Sequence, residues 1–172
     1  RSVETLQAWR SPNLFLSQTC GLPLVTRLRH QVTVLGSFSY ATGDQEGNYH
    51  SVIIAQQDCP DTLNQFNNKI LAINGYDSYS GYLAMKVLMT ARQMPNAFFK
   101  TILVTGSHRE SIHAVADGKA DLAAIDCVSW HLATNFERVS NTLKIIATAP
   151  ARPGLPLITA PHASQARVSM LR

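Results

Sequence analysis

Thr101-Ile102-Leu103-Val104-Thr105-Gly106-Ser107-His108 runs a short apolar strand straight into polar residues and a helix start. The same event occurs on either side of it. Residues 70–74 lead into Asp77-Ser78-Tyr79-Ser80-Gly81, and residues 120–125 lead into Asp126-Cys127-Val128-Ser129. Strands that alternate with helices of about 10–15 residues argue for βαβ units and a parallel sheet. In open α/β sheets, ligands bind outside the carboxyl ends of the strands, where loops meet helix N-termini. Those termini carry unpaired N–H groups and partial positive charge, so they hold anions. Three such junctions in one lobe predict a site for a small oxyanion.

The totals narrow the classes. A chain of 172 residues suits one domain or two small lobes. No apolar run approaches the roughly 20 residues that cross a bilayer. The net charge of +4 comes from 15 scattered Lys and Arg with no basic block, which speaks against nucleic acid as a partner. Cys20, Cys59 and Cys127 form no CxxC pair and no zinc-ligand spacing, so no metal and no cofactor are expected.

Working outward, residues 2–10 read as the end of an amphipathic helix with Val3, Leu6 and Trp9 on one face. Residues 13–18 read as a buried strand, 23–29 as a short turn or helix, and 31–40 and 49–57 as strands around a polar loop at 41–48. Asp61 is expected to cap a short helix over 61–66. Residues 80–93 read as a helix with Leu83, Val87, Leu88 and Ala91 inward. In the helix over 107–117, Ser107 and Glu110 form an S-x-x-E capping box and Gly118 follows as the C′ residue. Residues 143–149 and 157–159 are further strands, and a last helix begins near Ser164. The expected layout is a first lobe from 1–56 plus 150–172, and a second, inserted lobe from 57–149.

Each polar residue at a strand end has two readings. Ser78 and Ser80 bracket a helix start, as caps or as neutral donors to a ligand, and Gly81 would let a ligand approach the backbone. Ser107 is committed to the capping box. His108 lies in a first helical turn, where the dipole disfavours its charged form and a neutral ring can donate to an oxyanion. His113, further along, reads as inert. Asp126 ends an apolar strand, where it either caps the next helix or contacts the ligand. A carboxylate in an anion pocket repels a bare dianion, but it can accept from a protonated oxyanion or bind an ammonium group. No GxSxG, GxxxxGK[ST], GxGxxG or HExxH motif is present. Ser107, His108 and Asp126 spell a triad, but neighbours at a helix start point in different directions, so no catalytic residues are assigned.

Asp77-Ser78-Tyr79-Ser80-Gly81-Tyr82-Leu83, Thr105-Gly106-Ser107-His108 and Ala116-Asp117-Gly118-Lys119-Ala120-Asp121-Leu122-Ala123-Ala124-Ile125-Asp126 together resemble the phosphate/phosphonate substrate-binding proteins of ABC importers. The resemblance implies a two-lobed type II periplasmic-binding-protein fold of α/β class, with three-layer α/β/α lobes. It also implies a periplasmic or otherwise extracytoplasmic location and a membrane permease as partner. By that resemblance Ser78, Tyr79 (through its backbone), Ser80, His108 and Asp126 hold a phosphonate-like oxyanion, with Asp126 taking the amine of an aminophosphonate. Thr19 fills the place of a contact from the first lobe. Family members begin with a strand and helix ahead of the position of Arg1, so the first lobe is expected to be incomplete. A sensor domain for another small ligand, or an enzyme on the same fold, are the alternatives.

Overall fold

The computed structural model describes residues 3–42 and 47–172. Ser2 and the centre of the polar loop expected over 41–48 lie outside them. Helix α1 (Val3–Trp9) is followed by β1 (Ser17–Gln18), α2 (Gly21–Arg27) and β2 (Thr33–Ser37). Next come β3 (Asn48–Tyr49), β4 (Ser51–Gln56), a 3₁₀ turn at Leu63–Phe66 and β5 (Ile70–Ile73). A π turn at Tyr79–Leu83 leads into α3 (Ala84–Ala91), then β6 (Thr101–Val104), α4 (His108–Ala116), β7 (Leu122–Asp126) and α5 (Cys127–Phe136). The chain ends with β8 (Leu143–Thr148), β9 (Arg152–Pro153), β10 (Pro156–Thr159) and α6 (Gln165–Leu171). Among the described residues no helix is long and apolar enough to cross a membrane.

The larger half is built on a five-stranded sheet of order β6-β5-β7-β4-β8. Strand β5 runs parallel to β6 and β7, whereas β4 runs antiparallel to β7 and β8. The sheet is therefore mixed rather than wholly parallel. Strand β4, which the sequence-based division puts with residues 1–56, pairs into this sheet beside β7. Side chains alternate between its faces. Ile53, Leu71, Ile73, Leu122 and Ala124 pack with Met85 and Leu88 of α3 on one side. Val52, Ile54, Ala123 and Ile125 pack with Ile112 and Val115 of α4 on the other. Burial on both faces explains why β4 and β7 read as continuous apolar runs.

The smaller half carries an antiparallel sheet of order β1-β10-β2, with Trp9, Leu28 and Ile158 as its buried centre. The halves are bridged by the two-residue ladder of β3 and β9, which sets Tyr49 opposite Arg152. Ser51 of β4 lies opposite Asp126, so the crossing chain enters at the edge where the parallel strands end.

Three local expectations change. Residues 13–18 are not a buried strand: only Ser17 and Gln18 pair, at the sheet edge, and Phe15 and Leu16 are exposed. Asp61 does not cap; it pairs with Lys144 at 2.6 Å, and Thr62 begins the 3₁₀ turn. Helix α3 buries Leu88 as expected, but with Ala84, Met85 and Met89 rather than Leu83, Val87 and Ala91, because the π turn ahead of it shifts the phase.

Candidate functional site

Three strand ends of the larger sheet meet at one edge, and each hands its chain to a helical turn. After β5, Ser78 accepts the Gly81 N–H at 3.1 Å and so caps the π turn. The amides of Tyr79 and Ser80, first in that turn, have no intrahelical acceptor. After β6, Gly106 adopts φ of 92° and Ser107 accepts the Glu110 N–H at 3.1 Å, leaving His108 as the first residue of α4. After β7, Asp126 caps α5, accepting the Ser129 N–H at 2.8 Å and the Ser129 hydroxyl at 2.7 Å.

His108 is the node. Its Nε2 lies 2.8 Å from Ser80 Oγ, 3.3 Å from Asp126 Oδ2 and 3.3 Å from Asn74 Nδ2. Ser78 Oγ is 3.5 Å from Ser80 Oγ. Burial holds the imidazole below its ordinary pKa, against the opposing pull of Asp126 and of the Ala124 carbonyl. A neutral ring among a hydroxyl, an amide and a carboxylate is a hydrogen-bonding group, not a cation. Tyr49 reaches the same cluster from β3: it is buried, and its phenol lies near Ser80 and within the field of Asp126. Burial first, then the Asp126 charge, push that phenol above its ordinary range, so it too stays neutral.

Ser78, Ser80, His108 and Asp126 are thus brought together, with Tyr79 between the two serines in the chain. Thr19 is buried in the smaller half, where its N–H bonds to Pro156 and its hydroxyl to the Cys20 carbonyl, not to the cluster. Gly81 serves a different purpose from the one expected. The space above it is filled by Asn74, whose Oδ1 is buried without a hydrogen-bond partner. His113 ties α4 to Glu137 at 2.8 Å, and Arg109 grips the same carboxylate at 2.9 Å. Sequence reasoning missed Asn74 and Tyr49. Asn74 carried the signal already used for Asp126, a polar residue closing an apolar strand. Tyr49 arrives from a two-residue crossing strand and had no local signal. Among the described residues no group of three or more His, Cys, Asp or Glu could hold a metal ion.

With this geometry in view, the sequence profile of the family described as "ABC transporter, phosphonate, periplasmic substrate-binding protein" matches residues 4–172. The chain belongs to this phosphonate-binding family. Among solved structures it is similar to the binding protein of an ABC phosphonate transporter from Pseudomonas aeruginosa, with a TM-score of 0.77 and 21% identity. That match covers 97% of this chain and 57% of the Pseudomonas chain. It is also similar to PhnD1 of Prochlorococcus marinus in complex with methylphosphonate, with a TM-score of 0.76, 18% identity and coverage of 93% and 61%. An ATP-bound protein from Xanthomonas citri follows at 0.71 and 17%, covering 98% and 65%. These identities establish the two-lobed periplasmic-binding-protein fold, of which the present chain spans 57 to 65% of those relatives' length. A search of the curated proteins finds no match.

Proposed function

We propose that this member of the phosphonate-binding family captures a phosphonate or a related small oxyanion between its two halves and hands it to the permease of an ABC importer. The observation that carries this reading is the convergence of three strand ends, with Ser80 and Asp126 both within 3.3 Å of the His108 Nε2. Ser78, Ser80 and the first amides of the π turn supply neutral donors, and His108 supplies one more. Neutral dipoles suit selective capture: they stabilise an anion that matches their geometry, and a water-poor site strengthens each bond. Asp126 would repel a bare dianion and favour a protonated oxyanion, or an ammonium group on the ligand. Thr19, buried in the smaller half with its hydroxyl on the Cys20 carbonyl, would have to leave that bond to reach the ligand. Such a binding protein works outside the cytoplasm, beside its permease.

A hydrolytic reading fits less well. In a Ser-His-Asp relay the carboxylate holds Nδ1 while Nε2 faces the serine. Here Ser80 and Asp126 both approach Nε2.

Calorimetry with methylphosphonate, 2-aminoethylphosphonate, phosphate, sulfate and amino acids tests the proposal. Phosphonates are expected to bind and amino acids not. His108→Ala should weaken every oxyanion by about tenfold or more, since a charge-assisted bond contributes roughly 1.5–3 kcal/mol. Asp126→Asn should weaken the aminophosphonate strongly and methylphosphonate little. Wild-type protein that binds amino acids and no phosphonate would overturn the reading.

A further inference from the structure

A cavity of about 630 Å³ opens beside the oxyanion cluster, within the roughly 300–1,000 Å³ of small-molecule pockets. Its walls are apolar: Leu22 and Val25 of α2, Val34 of β2, and Leu83 at the end of the π turn. Two tyrosines join it to the cluster. Tyr49 lines the cavity while its phenol lies near Ser80 and Asp126, and Tyr79 lines it while sitting between Ser78 and Ser80 in the chain. Arg152, opposite Tyr49 in the β3–β9 ladder, is the one charged side chain among the described residues of the lining.

A bare oxyanion has no use for such walls. Charged oxygens gain nothing from Leu, Val and Pro surface and lose hydration against it. A carbon chain gains free energy in proportion to the apolar area it removes from water. Both needs are met at once by a molecule with an oxyanion at one end and an apolar body at the other, the head at the strand ends and the body past the tyrosines. The halves of the protein divide the task, because the donors belong to the larger half and most of the apolar wall to the smaller.

We propose that the cavity is the subsite for the organic substituent of the phosphonate, and that the preferred ligand carries a sizeable apolar group, such as an aryl or branched alkyl, rather than methyl. This inference rests on the phosphonate reading above.

The test is calorimetry of the purified protein with methylphosphonate and phenylphosphonate. Phenylphosphonate is expected to bind about tenfold tighter or more, from the added apolar burial. Val25→Glu places a charge on the wall at a helix position that is 64% exposed, so the fold does not have to bury it. In that variant the ratio of the two affinities should fall towards one. Equal affinities in the wild type would overturn the subsite while leaving phosphonate capture standing, and would mean that something other than ligand covers these walls. A ratio that stays high in Val25→Glu would also overturn it, by placing the phenyl group elsewhere. Failure of both compounds to bind would remove the phosphonate reading, and the subsite with it.

Discussion

Gly81 is held to glycine by a neighbour. A Cβ there would fall 1.9 Å from Asn74 Oδ1 and 2.8 Å from its Cγ. Gly81→Ala must therefore displace Asn74 or the π turn, and is expected to cost about 1–3 kcal/mol in urea unfolding. Truncating the obstacle with Asn74→Ala in the same chain should recover most of that loss, since the two positions touch and will not add. A double variant no more stable than Gly81→Ala would place the clash elsewhere. His108 yields a second prediction at this scale. Its folded pKa lies below the ordinary 6.5 because the ring is buried, with Asp126 as the titratable group that acts on it. The unfolded chain then binds the proton more readily. The stabilising contribution is whole above about pH 6.5 and is lost as pH falls from there towards the lower folded value. Melting temperature of the ligand-free protein should drop as pH falls below about 6.5, and His108→Gln should flatten that drop. An unchanged slope would clear His108. The polar residues at strand ends were legible because each follows an unbroken apolar run. What each side chain touches was not, because Ser80, His108 and Asp126 are far apart in the chain and meet only through the sheet.

At the scale of elements, α4 and β7 were plain in the sequence and α3 was half-plain. Ser107, Glu110 and Gly118 mark the ends of α4 by cap chemistry that acts locally, and Gly118 adopts φ of 70° as a C′ glycine does. Ser107→Ala should lower stability by about 1 kcal/mol in chemical denaturation, the usual cost of a lost N-cap. No loss would show that the Glu110 amide finds another acceptor. Helix α3 shows where pattern reading stops. A π turn holds more residues than an α turn, so everything after it is rotated by about 100° per added residue. No residue type announces that insertion. Met85 and Met89 consequently face the core, 0% and 5% exposed, where Val87 and Ala91 were expected. Strand β1 failed for a different reason: an apolar run at an edge looks like one at a centre until its neighbours are known.

For the whole molecule, alternation of strand and helix revealed an α/β chain but not the reversed strand in its main sheet. The direction of β4 is set by where the chain enters from the smaller half, a fact of topology rather than of its own residues. Leu122 measures how much that sheet contributes. It is fully buried in β7, which joins the parallel pair to the reversed strand. Leu122→Ala should cost about 2–5 kcal/mol in urea unfolding. A cost under about 1 kcal/mol would mean that the sheet collapses freely around the gap. The crossing ladder has a consequence of its own. It is two residues long, and Pro153 brings no N–H to it. Tyr49 sits in that ladder while its phenol feels the charge of Asp126, so the thread that stitches the halves together also carries a side chain to the strand ends.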